Sequence, residues 1–116
     1  SLFGDTVRGQ YCEIVYSVDP NIETDVCDMV DVQCTIISHD PFRMRAQVGA
    51  DVSVDRVRFY ADGDFINEEE EPMYCLVSGN TSCGSYTKSG THKFSAIVYT
   101  TDGQTGKCSL EATVPE

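Results

Sequence analysis

The chain has no tryptophan, only two histidines, and only 8 lysines and arginines against 19 aspartates and glutamates. So few cations exclude a nucleic-acid binder, because that binding rests on Lys and Arg neutralising phosphates. They disfavour docking on an anionic membrane surface for the same reason. No apolar run approaches the roughly 20 residues of a membrane-spanning helix. The catalytic signatures G-x-S-x-G and H-E-x-x-H are missing, and so is any C-x-x-C pair. His39 and His92 do not stand at zinc-finger spacing from a cysteine, so no metal centre is expected. The acidic stretches are Glu68 to Glu71, the Asp25, Asp28 and Asp31 series, and Asp62 with Asp64. None has the EF-hand spacing that holds calcium, and they read as solvated charge that keeps a surface soluble and protects a sheet edge. No cofactor and no catalytic residue is expected, and the chain does not read as an enzyme.

What the sequence does have is cysteine: Cys12, Cys27, Cys34, Cys75, Cys83 and Cys108. An even set in so short a chain reads as three disulfides formed in an oxidising compartment, which implies a secreted or cell-surface protein. Sequence alone does not choose among the possible connectivities. Spacing favours Cys27–Cys34 and Cys75–Cys83 as local staples and Cys12–Cys108 as a closure between the two ends. Asn80-Thr81-Ser82 fits the N-glycosylation motif and lies in a Gly- and Ser-rich stretch. The chain begins at Ser1 without an apolar leader, as expected of a processed secreted chain or a piece of a longer one.

Alternation of apolar and polar residues is the main structural signal. Residues 1–11 read as a polar arm and 12–116 as one domain, with an acidic, cysteine-containing loop region at 19–40. Cys12, Ile14, Tyr16 and Val18 stand at alternate positions, as in a half-buried strand. The turn residues Asp19-Pro20-Asn21 break that pattern. Met29, Val30 and Val32 could support one helical turn, and Thr35-Ile36-Ile37 a short strand. Phe42, Met44, Ala46 and Val48 alternate with Arg43, Arg45 and Gln47, and a second strand runs from Val54 to Tyr60. Asp62-Gly63 is a hairpin turn signal, since glycine supplies the positive φ that a tight turn needs. Further strands are expected at Met73 to Val77, at His92 to Thr100 and around Cys108 to Val114. About seven short strands without a convincing helix predict an all-β, immunoglobulin-like antiparallel sandwich.

The region from Arg43 to Val114 resembles a bacterial-type immunoglobulin-like domain. The residues that carry the resemblance are Val57-Arg58-Phe59-Tyr60-Ala61-Asp62-Gly63, Glu71-Pro72-Met73-Tyr74, Gly90-Thr91-His92-Lys93-Phe94-Ser95-Ala96 and Thr101-Asp102-Gly103. Such domains occur in secreted glycoside hydrolases and surface adhesins. The resemblance therefore implies a non-catalytic spacer or binding module, and a histidine at position 92 that hydrogen-bonds a neighbouring corner. Family members are commonly poor in cysteine. The cysteines and the acidic N-terminal extension are departures that point to a strongly oxidised, exported setting.

If Val57 and Phe59 face inward, Arg56, Arg58 and Tyr60 face out. If Phe94, Ala96 and Val98 face inward, Lys93, Ile97 and Tyr99 face out. Neighbouring strands would gather these six into one basic, aromatic patch, and Tyr and Arg are residues that interfaces favour. The expected partners are other extracellular proteins or copies of the same chain in a surface, wall or fibre assembly. Glycans stacking on the tyrosines, as in a carbohydrate-associated module, are the alternative. A small cystine-stabilised secreted ligand or inhibitor is a further one.

Overall fold

The alternating stretches become strands because one side of each is apolar enough to leave water while the other stays wet. The computed structural model describes residues 30–116 and the backbone of two short strands, β1 (Cys12–Ile14) and β2 (Asp25–Cys27). These two form an antiparallel ladder in which Cys12 and Cys27 are register partners. The arm at 1–11, the turn at Asp19-Pro20-Asn21, a strand reaching Tyr16 and Val18, and the helical turn at Met29 lie outside the described residues. So do the side chains of Asp25 and Asp28.

Seven strands follow: β3 (Val32–His39), β4 (Phe42–Val48), β5 (Val54–Ala61), β6 (Asp64–Glu69), β7 (Tyr74–Cys75), β8 (Gly90–Thr100) and β9 (Thr105–Val114). No helix occurs among the described residues. They form a three-stranded sheet ordered β3-β4-β7 and a four-stranded sheet ordered β6-β5-β8-β9, every pairing antiparallel. The expected immunoglobulin-like sandwich is the fold. In constant-type immunoglobulin domains the fourth strand joins the first sheet. Here β6 stays beside β5, because Asp62 and Gly63 adopt φ of 53° and 88° and close a tight hairpin between them. The core holds the inward residues of both sheets. Phe42, Met44 and Ala46 of β4 face Val57 and Phe59 of β5 and Phe94, Ala96 and Val98 of β8.

The expected short strand at Thr35-Ile36-Ile37 is in fact eight residues long. Val32 and Cys34 turn inward and are buried, which extends the strand into the region read as loop. A register shift between Ile36 and Ser38 leaves Ile37 45% exposed, and that irregularity hides the alternation in the sequence. The strand expected at Met73 to Val77 shrinks to two residues, since the chain then enters a loop closed by Cys75–Cys83.

The disulfides correct two expected pairings. Cys34 is bonded to Cys108, so Cys12–Cys108 and Cys27–Cys34 do not form, whereas Cys75–Cys83 does. Cys27 and Cys34 are near in sequence, but β3 carries Cys34 into the core. There it meets Cys108 of β9 with the Cα atoms 5.6 Å apart. This bond ties β3 to β9 across the two sheets. On the other side, Asn67 Nδ2 donates to the Cys75 carbonyl at 3.0 Å and Ser78 donates to the Glu69 carboxylate, tying β6 to the chain around β7.

Candidate functional site

The four-stranded sheet has a wet face because β5, β8 and β9 all alternate in phase. Register pairs set Arg56 beside Tyr99, Arg58 beside Ile97 and Tyr60 beside Ser95. On the next strand, Ile97 meets Lys107 and Lys93 meets Glu111. The structure thus places Arg56, Arg58, Tyr60, Lys93, Ile97 and Tyr99 on one face. It adds Lys107, which sequence reasoning missed. The signal for it was present, since Lys107 has the opposite phase to Cys108 and Leu110.

Exposure separates these residues into two kinds. Tyr60, Ile97 and Tyr99 are only 2%, 1% and 7% exposed and form a small apolar cluster of their own on this outer face. The Arg56 guanidinium carbon lies 4.1 Å from the centre of the Tyr99 ring. Phe65 packs edge-on against Tyr60 with centroids 5.9 Å apart, and Arg58 lies over Phe65 at 5.5 Å. Long cationic side chains lying on apolar surface keep their charged ends toward water. The face therefore presents guanidinium and ammonium groups, with the tyrosine rings beneath.

Carboxylates temper this charge on the β6 side. Arg58 Nε donates to Glu68 Oε1 at 2.8 Å, and Arg56 Nε lies 3.8 Å from the same oxygen. A second Arg56 donor reaches Asp55 at 2.7 Å. The bond to Glu68 is the main reason the Arg58 pKa is pushed up, so Arg58 stays charged. No ion pair within 4.0 Å holds Lys93 or Lys107 among the described residues. The positive character of the face is thus strongest toward β8 and β9.

A second constellation sits at the hairpin corner. His92 Nδ1 lies 2.6 Å from Asp62 Oδ2, and its Nε2 lies 3.0 Å from the Lys88 carbonyl and 3.2 Å from that of Ser89. Both ring nitrogens face acceptor oxygens, an arrangement that favours the protonated ring. The hydrogen bond to Asp62 raises the His92 pKa against the opposing effect of burial, and the same bond lowers that of Asp62. Asp62 Oδ1 also accepts from the Lys93 backbone N–H at 2.9 Å. With both oxygens engaged, Asp62 acts as a clamp between the β5–β6 turn and β8. Tyr86 and Phe94 pack against the His92 ring, with centroids 5.6 and 5.7 Å away. The histidine holds a corner of the sandwich, with both ring nitrogens engaged within the fold.

No protein-family model matches this chain, and no curated protein sequence matches it. Among solved structures, it is similar to the fibronectin(III)-like modules of Clostridium thermocellum CbhA. The TM-score is 0.50 and the identity 22%, over 72% of this chain and 96% of that one. A likeness at this level is one of fold, and it agrees with the two-sheet architecture described above.

Proposed function

We infer that the protein is a non-catalytic extracellular module that makes protein–protein contacts through the outer face of β5, β8 and β9. The observation that carries this reading is the placement of charge. The whole chain has a net charge of −11, yet Arg56, Arg58, Lys93 and Lys107 share one sheet face, against Glu68, Glu111 and the Asp55 carboxylate bonded to Arg56. A cationic face on an acidic molecule fits an acidic protein segment, including one on a second copy, and such a head-to-tail contact can propagate into a fibre. The disulfides support an extracellular setting. The similar modules of the clostridial protein support a role as a building block.

Direct glycan binding is the weaker reading. Sugar rings stack on exposed aromatic faces, and Tyr60 and Tyr99 are buried beneath their neighbours. The test is sedimentation velocity over rising protein concentration in low and high salt. Self-association that salt weakens is expected, together with its loss in Lys93→Gln/Lys107→Gln, a variant whose fold is checked by its thermal midpoint. A strict monomer at high concentration and low salt would exclude stacking between copies. Tyr99→Ala is unsuited as a probe, since it would open the buried outer cluster at a cost of about 3–5 kcal/mol.

A further inference from the structure

The motif that this face leaves unused is in the loop between β7 and β8. Asn80, Thr81 and Ser82 satisfy the N-x-S/T acceptor rule and are all exposed. Two closures hold the loop: the Cys75–Cys83 bond, with Cα atoms 5.3 Å apart, and Gly84 N–H donating to the Val77 carbonyl at 2.8 Å. Within it the chain doubles back so tightly that a Cβ on Gly79 would lie 2.0 Å from the Ser82 carbonyl oxygen. Asn80 stands in that bend. The asparagine of β6 is held differently, since Asn67 Nδ2 donates to Cys75 O and to Glu69. No hydrogen bond among the described residues holds the Asn80 side chain. Beside Asn80 lies a cleft of about 190 Å³, bordered by Pro72, Met73, Glu69 and Ser78. Met73 is 42% exposed there, an apolar surface with no cover.

We propose that Asn80 is an N-glycan acceptor and that the first sugar of the glycan lies in the cleft over Met73. In the transfer step Asn80 Nδ2 attacks the anomeric carbon of an oligosaccharide carried on a polyprenyl pyrophosphate. The new N–C bond replaces the carbon–oxygen bond to phosphate. The amide proton passes to a base of the transferase, the polyprenyl pyrophosphate leaves, and nothing is oxidised or reduced. A transferase needs the acceptor extended, and the closed loop does not offer that shape. Transfer therefore precedes closure of Cys75–Cys83, and the two reactions compete. The glycan would stand beside the three-stranded sheet, leaving Lys93 and Lys107 open on the other one.

This inference rests on the reading of the protein as exported, and the experiment separates the two. Native protein is mapped by mass spectrometry under non-reducing conditions, before and after peptide-N-glycosidase F. A mass loss with conversion of Asn80 to Asp is expected, abolished in Ser82→Ala and retained in Ser82→Thr. Peroxide should oxidise Met73 severalfold faster once the glycan is removed, and equal rates would overturn its placement in the cleft. Unmodified Asn80 in a chain with an intact Cys75–Cys83 bond would overturn the glycan and leave export standing. Unmodified Asn80 with free thiols at both cysteines would overturn both.

Discussion

His92 shows how one residue can couple protonation to fold. Its folded pKa is raised and that of Asp62 is lowered, so the signs can be worked out for each. The His92 contribution is fully present below about pH 6.5, the value of an unperturbed histidine, and is lost as pH rises through the raised folded pKa. The Asp62 contribution is present above about pH 4 and is lost as pH falls through the lowered folded pKa. The pair therefore contributes most between those limits. Urea denaturation from pH 5 to pH 9 should show stability falling on the alkaline side. In His92→Gln that slope should flatten, and stability at pH 6 should drop by about 1.5–3 kcal/mol, the usual range for a hydrogen bond to a charged group. An unchanged slope would show that another group sets the pH dependence. The family resemblance implied a histidine bonded to a corner. The three oxygens around the ring, which favour its protonated form, are a matter of tertiary placement.

Among the elements, the edge strands β3 and β9 depend on their shared cystine. Cys34 and Cys108 are 74 residues apart, and closing so long a loop stabilises by about 4–5 kcal/mol on the chain-entropy estimate. The eight-residue separation of Cys75 and Cys83 gives about 2–3 kcal/mol. Cys34→Ala/Cys108→Ala should therefore lower stability more than Cys75→Ala/Cys83→Ala, as measured by the urea midpoint at constant slope. A reversed order would show that strain or denatured-state structure outweighs loop length. Gly106 offers a sharper local test. Its missing side chain lets β9 pass against Val30, and a Cβ there would lie 2.5 Å from the Val30 carbonyl oxygen. Gly106→Ala should cost about 1–3 kcal/mol through forced displacement, seen as a lower thermal midpoint. Strands β4, β8 and β9 were legible in the sequence because their residues alternate, and β5 because Val57, Arg58 and Phe59 alternate between its two register shifts. β3 was not, because Ile36 and Ile37 are adjacent apolar residues at a register shift.

For the whole molecule, charge makes two predictions of opposite sign. A net charge of −11 destabilises the compact state through self-repulsion. Sodium chloride, by screening that repulsion, should raise the thermal midpoint of the monomer. The cationic face would hold an acidic partner by the same unscreened attraction, so the same salt should weaken association. If association instead strengthens with salt, the contact is apolar and the cations are bystanders. The Lys93→Gln/Lys107→Gln variant should remain monomeric with a midpoint only slightly lowered by the added net negative charge, because neither lysine is held in an ion pair among the described residues.

The sequence by itself determined the layered β architecture, the oxidised setting it favours and the face on which the alternating residues of β4, β5, β8 and β9 stand. A period of two is a local property of the backbone and can be read one residue after another. It could not determine which cysteines meet, because bonding depends on where strands 74 residues apart are brought together. Nor could it show that Tyr60, Ile97 and Tyr99 are buried on the outer face. Alternation gives the direction of a side chain, whereas what covers it is decided by the register of the strands and the reach of their neighbours. Of the expected basic, aromatic patch, the tertiary structure thus keeps the cations at the surface and buries the tyrosines beneath them.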